Sequence, residues 1–215
     1  MQRPSFRLPI LVVTVSGALW LGGCASSHAS GGQRASVASV ATASPRPGVA
    51  STEQAVATEQ SPAGDIPDTQ AFVSFTSSVG GYSVDTPEGW ARTATGPDVQ
   101  LVDKLDGEAV TVTSASTAPT TTSARGDIEP GLMQAGRAVQ VTNVEDVRLP
   151  GGSAVRITYT SNSDPNAVTG KQVRLENQAY LFFAGGKLAR LTLWAPLGSD
   201  NVDQWQHITQ SFRWS

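Results

Sequence analysis

The sequence predicts an α+β fold, a mostly antiparallel sheet with helices on its faces. Apolar residues alternate over short runs, and glycine-rich turns follow those runs closely. Short turns join neighbouring strands antiparallel. Two stretches, one central and one at the carboxyl end, instead repeat their apolar residues at helical spacing. Residues 72–215 also hold all the tyrosines, every tryptophan but Trp20 and every phenylalanine but Phe6.

Residues 71–76 read as a first strand, followed by a Gly80-Gly81 turn and the alternating strand Tyr82-Ser83-Val84-Asp85. Pro87-Glu88-Gly89 turns the chain and Trp90 anchors the next segment. Residues 99–105 and 108–114 are expected as strands around Asp106-Gly107, since glycine tolerates positive φ in a two-residue hairpin. A Thr/Ser-rich loop should follow over 114–124. Asp127 can cap a helix with Pro130 in its first turn, placing Ile128, Leu132, Ala135 and Val139 on one face. Residues 141–149 and 154–160 should pair around Pro150-Gly151-Gly152, and 171–184 with 187–195 around Gly185-Gly186. Ser199 is expected to cap a last helix with the stripe Val202, Trp205, Ile208 and Phe212.

Three segments are expected: 1–23, 24–68 and a domain over 69–215. Arg3 and Arg7 precede an apolar run over 8–21 that ends in Leu21-Gly22-Gly23-Cys24. That run is too short to span a bilayer and has the length of a signal-peptide core. The tetrapeptide resembles the lipobox of bacterial lipoproteins. The resemblance implies cleavage after Gly23 and a diacylglyceryl thioether on Cys24, a palmitate-type anchor. Cys24 is the sole cysteine, so a disulfide within the chain is excluded. Residues 25–68 are Ser-, Ala-, Gly-, Thr- and Pro-rich and contain no aromatic residue. Such a composition buries too little apolar surface to offset ordering. It reads as a disordered tether with an r.m.s. span of roughly 35 Å.

The domain carries 11 Lys/Arg against 14 Asp/Glu, with no basic stripe. That excludes nucleic-acid binding through bulk charge. Candidate chemistry is sparse. His207, four residues after Asp203, reads as a solvent-edge pair on the last helix. Asp103, Asp106 and Glu108 read as a solvated turn, with a calcium or hydrolytic carboxylate site as the sharper alternative. Glu145-Asp146 and Asp127/Glu129 read as solvated surface. Gly151-Gly152 and Gly185-Gly186 lack the phosphate-loop sequence. Tyr180 and Phe182 share one face of their strand and Leu181 and Phe183 the other. Trp194 sits opposite Leu191 and Leu193 on the next strand. Aromatics on both faces suit a sheet covered on both sides; an incomplete cover would leave a groove for a lipid, glycan or peptide.

Gly81-Tyr82-Ser83-Val84-Asp85-Thr86-Pro87-Glu88-Gly89-Trp90 is similar to the opening of the PsbP-like superfamily, and Ile208, Ser211 and Phe212 match its ending. Lipobox, polar tether and one such domain together resemble bacterial lipoproteins of the LpqN type. The resemblance implies an α/β/α sandwich over about 70–214 and a non-catalytic accessory or binding role. In it Pro87 and Gly89 shape a turn, and Trp90 and Phe212 fill core.

The expectation is a cell-envelope lipoprotein, extracytoplasmic and lipid-anchored at the cell membrane. It should act as a binding module toward an envelope protein or apolar ligand, without enzymatic activity, cofactor or metal. A carrier for a lipid or glycan is the second reading, a carboxylate hydrolase the third.

Overall fold

A computed structural model of the chain describes residues 53–58 and 64–215. The cleavage motif Leu21, Gly22 and Gly23, the lipidation residue Cys24 and most of the expected tether lie outside the described residues.

Among the described residues ten strands and three α-helices follow in chain order. The strands are β1 (Phe72–Ser77), β2 (Tyr82–Pro87), β3 (Ala91–Thr95), β4 (Asp98–Asp103) and β5 (Asp106–Ser114). Next come α1 (Thr121–Ser123), a π-helical stretch (Ala124–Ile128) and α2 (Glu129–Ala135). The chain continues through β6 (Arg137–Leu149), β7 (Gly152–Asn162), β8 (Arg174–Ala184) and β9 (Lys187–Pro196). It ends with α3 (Val202–Ser211) and β10 (Arg213–Trp214). A seven-stranded sheet runs β3-β4-β5-β9-β8-β7-β6, and a small sheet runs β1-β2-β10. Every pairing among the described strands is antiparallel.

Alternation gives the large sheet two apolar faces. Tyr180, Phe182, Leu191 and Leu193 face one way and pack with Tyr82, Trp205, Ile208 and Phe212. That cover combines α3 with the small sheet, so it is not purely helical as a sandwich of helices would be. Ala179, Leu181, Ile157 and Val155 face the other way, under Ala124, Ile128 and Leu132.

Several elements differ from their sequence reading. The hairpin between β4 and β5 turns at Lys104-Leu105, with Lys104 at φ 54°, so Asp106 and Gly107 belong to β5. The helical segment begins at Thr121, not Asp127. Thr120 Oγ1 accepts the Ser123 N–H at 3.1 Å, and Ser123 Oγ accepts the Thr120 N–H at 2.9 Å. This capping box uses serine where glutamate usually signals one. Ala135 is exposed, and Val139 lies in β6. At the last helix Asn201, not Ser199, holds the cap position, and its side chain serves another segment. Its Oδ1 accepts the Ile66 N–H at 2.6 Å, and its Nδ2 donates to the Gly64 carbonyl at 2.8 Å. Ile66 is only 4% exposed. The tether expected to reach residue 68 is therefore packed on the domain from Gly64. One buried isoleucine and a pair of amide hydrogen bonds outweigh the polar composition around them. Val202 lies outside the apolar stripe, exposed to solvent.

Two hairpins match their reading. Gly185 and Gly186, at φ 55° and 75°, form the two-residue turn that right-twisted strands favour. Gly151 lies in the β6–β7 turn, where a Cβ would sit 2.4 Å from the Phe212 carbonyl oxygen. Among the described residues no helix is long and apolar enough to cross a membrane.

Candidate functional site

The helical segment 121–135 packs against β6 to β8 but leaves the β4–β5 side of its face open. A groove of about 950 Å³ remains there. Its floor is built by register. Trp194 on β9 lies opposite Gly107 on β5 and Asn177 on β8. A Cβ on Gly107 would fall 1.8 Å from Trp194 Cζ2, so the indole lies flat over a strand that has no side chain there. Asn177 is 5% exposed and donates to Ser161 Oγ at 3.0 Å. Tyr159 completes the floor, and burial raises the pKa of its hydroxyl above the ordinary value. Lys104 stands at one rim, and Arg137 and Asp164 at another. Among the lining residues Asp164 is the one acid, with no histidine or cysteine.

Gly107→Ala tests this floor. The new methyl must push the indole off the strand, and overpacking of this kind costs about 1–3 kcal/mol. Denaturant unfolding should show that loss, and the Trp194 indole resonance should move. An unchanged midpoint with an unmoved resonance would remove Trp194 from the floor.

The carboxylates fall differently from the solvated-turn reading. Asp103 is exposed and 3.7 Å from Lys104. Asp106 and Glu108 are buried on the opposite face of β5 from the groove, with Val110. Glu108 is fully buried between Leu101 and Leu193. Both its oxygens, and Oδ1 of Asp106, lack hydrogen-bond partners among the described residues. Burial pushes the Asp106 carboxyl up to about 7, with Asp103 adding to the rise. Burial also drives Glu108 well above the carboxylate range, reinforced by Asp85. A hydrolytic carboxylate must reach substrate and water; Glu108 is sealed from both. The signal in sequence was the period of two. Once Val110 points inward, Glu108 and Asp106 must follow.

His207 pairs with Asp85 on β2, not with Asp203. Its Nε2 lies 3.2 Å from Asp85 Oδ2, and its ring stacks on Phe72 at 4.3 Å. Glu145 pairs with Arg156 across β6 and β7, while Asp146 and Asp127 are exposed and Glu129 is half-buried. No group of three or more His, Cys, Asp or Glu side chains converges among the described residues. A second cavity of about 340 Å³ lies between α3 and the strands of the first face, near Arg156, Gln178 and Tyr180.

The end of the groove holds residues that the sequence did not flag. Asn162 and Arg137 line it and also bind Glu53. The Arg137 guanidinium donates to Glu53 Oε2 at 2.9 Å and to Asp164 Oδ1 at 3.0 Å. Asn162 Nδ2 and Gln172 Nε2 donate to Glu53 Oε1 at 2.9 and 2.6 Å. These contacts, that from Asn162 foremost, hold the Glu53 carboxyl below its ordinary pKa. No motif announces the cluster, because its members come from four separate segments.

No family model matches the sequence, and no curated protein does. Several solved structures are similar in shape, three of them as follows. Cyanobacterial PsbP (CyanoP) from Synechocystis sp. PCC 6803 has a TM-score of 0.49 at 15% identity, covering 73% of this chain and 99% of that one. The Ran-binding protein Mog1p of Saccharomyces cerevisiae has a TM-score of 0.44 at 8% identity, covering 67% and 96%. A protein from Bacteroides thetaiotaomicron VPI-5482 has a TM-score of 0.42 at 9% identity, covering 66% of this chain and 48% of its own.

Proposed function

We propose that the chain is a membrane-tethered, non-catalytic binding module of the cell envelope, anchored through Cys24 and of the LpqN type. The observation that carries this reading is the open groove over Trp194, Asn177 and Tyr159. Its lining offers aromatic surface and amide groups but no histidine, cysteine or carboxylate pair to move a proton. A concave surface with a few convergent polar groups is what ligand recognition requires. Two acyl chains on Cys24 would hold the domain stably at the membrane, where one would be marginal.

Alkyne-palmitate labelling of cells should mark the mature chain and place it in the membrane fraction. Cys24→Ala should lose the label and release the domain from that fraction. A photo-crosslinking residue at Gln100, which is exposed and lines the groove, should capture a discrete envelope partner from intact cells. A chain that takes no label and floats free, or a groove that captures nothing, would overturn the reading. The apolar side chains Val102, Leu132 and Leu175 in the same lining favour a second reading, a carrier of a lipid or other apolar ligand. Lipid co-purifying with the chain would select it.

A further inference from the structure

Residues 53–58 bind the domain in the manner of a ligand. Glu53 places its carboxylate among Arg137, Asn162 and Gln172. The neighbouring main chain is gripped as well. Asn162 Nδ2 donates to the Gln54 carbonyl at 2.8 Å, and its Oδ1 accepts the Val56 N–H at 3.1 Å. One side-chain amide thus satisfies a main-chain acceptor and donor two residues apart, which suits any extended peptide. Asn162 is itself 5% exposed and fixed from behind, since Arg174 donates to its Oδ1 at 3.0 Å.

The support behind the cradle is specially built. Arg174 is 4% exposed, and its hydrogen-bond acceptors among the described residues are all neutral: Asn162, the Ala138 carbonyl at 2.8 Å, Gln140 at 3.0 Å and Thr160. These bonds satisfy the buried guanidinium and lock the Asn162 amide in the orientation that grips residues 53–56. Ala138, at φ 45°, lies in a break of the β6–β7 register between Arg137 and Gln140. Left-handed backbone at a residue with a Cβ is strained, and such strain persists where a site requires it.

We propose that the Arg137–Asn162–Gln172 cradle is a docking site for an extended acidic peptide of a partner protein, and that residues 53–58 occupy it as an internal stand-in. The proposal rests on the binding-module reading and names the partner's chemistry. The occupant is argued from the stand-in itself. Specificity comes from one glutamate against the Arg137 guanidinium, backed by the Asn162 and Gln172 amides, and grip comes from the main chain. Arg137 and Asn162 belong at once to the cradle and to the groove, so a displacing peptide has an onward path across Trp194. The tether's own copy competes at the high effective concentration of a linked segment. The site would then answer only to partners that outcompete it.

The probe is a synthetic peptide of residues 50–58, titrated into the full chain in detergent. Glu53→Ala should bind it at least about tenfold more tightly than the wild type, because the internal competitor has lost its charge. A peptide with Gln at position 53 should bind that variant about tenfold more weakly. Arg137→Ala added to Glu53→Ala should remove the preference for Glu over Gln. Hydrogen exchange at the Val56 N–H should quicken in Glu53→Ala. Equal affinity of wild type and Glu53→Ala, indifference to Glu against Gln, or no binding at about 1 mM peptide would overturn the proposal. A concentration-dependent wild-type dimer that Glu53→Ala dissolves would also overturn it, by giving the site to a second copy. If Gln100 crosslinks survive any of these failures, the docking proposal falls and the binding-module reading stands. If those crosslinks are absent as well, both fall.

Discussion

Glu108→Met should stabilise the protein by about 1–4 kcal/mol at neutral pH and raise its melting temperature by several degrees. Glu108 is fully buried in the main core, and neither of its oxygens has a hydrogen-bond partner among the described residues. An unsatisfied buried polar group costs about 1–3 kcal/mol even uncharged. Methionine is of similar size and flexible enough to fill the same space. The gain must also depend on pH. Burial, with Asp85 adding to it, raises the folded-state pKa of Glu108 above its ordinary 4.5. Above that value the folded chain holds a proton that the unfolded chain has released. Its stability then falls with rising pH, by about 1.4 kcal/mol per unit, until the folded-state group itself ionises. The methionine variant loses that dependence, so its advantage should be smallest at and below pH 4.5, where only the cost of the uncharged buried carboxyl remains, and widen upward. Asp106 adds the same sign over its own window, from 3.8 to about 7, and remains in the variant. Calorimetric melts of both chains at about pH 5 and about pH 8 decide the matter. A methionine chain less stable than wild type would mean that Glu108 has a structural partner. An advantage that stayed flat with pH would mean that it does not titrate as a buried acid.

How much of this was legible in the sequence depends on whether each signal was local. The Gly185-Gly186 turn needs only two adjacent residues at positive φ, and it folds as read. Trp205, Ile208 and Phe212 recur at helical spacing and are buried together. Asp106-Gly107 is as good a hairpin dipeptide as Gly185-Gly186, yet the chain turns two residues earlier. Gly107 is needed in the strand, under an indole that comes from β9. A residue far along the chain therefore decides the turn, and with it the face on which Glu108 lies. Thr120 to Ser123 reads as polar loop because its capping partners are both hydroxyl residues. The groove and the Glu53 cradle are assembled wholly from distant segments. Sequence could say that an incomplete cover would leave a groove, but not where the cover stops. The polar composition of residues 53–68 pointed to disorder. It could not reveal that Glu53 meets Arg137, or that Ile66 meets the core.

Phe212→Ala should cost about 3–5 kcal/mol, the largest loss expected from a single side chain here. The ring is fully buried and stacks on Phe182 at 4.3 Å and on Tyr82 at 5.9 Å, with Trp214 edge-on at 5.5 Å. It ends α3, begins the turn into β10, and sits over Gly151, where a Cβ would be only 3.1 Å from its Cδ1. One side chain thus joins the small sheet, the last helix, the β6–β7 turn and strand β8 of the large sheet. Removing it opens a cavity between layers that are themselves rigid sheets, so little collapse can offset the loss. Against a typical total of about 5–15 kcal/mol, the variant should melt roughly 6–20 °C lower. Phe212→Leu keeps most of the volume and should recover more than half of that loss. The groove lies on the opposite face of the same sheet. The Trp194 indole resonance should therefore stay in place in Phe212→Ala below its melting point, while Tyr82 and Trp214 shift. Movement of Trp194 in step with them would show that the two faces are mechanically one core, and the groove would then have to be treated as part of it.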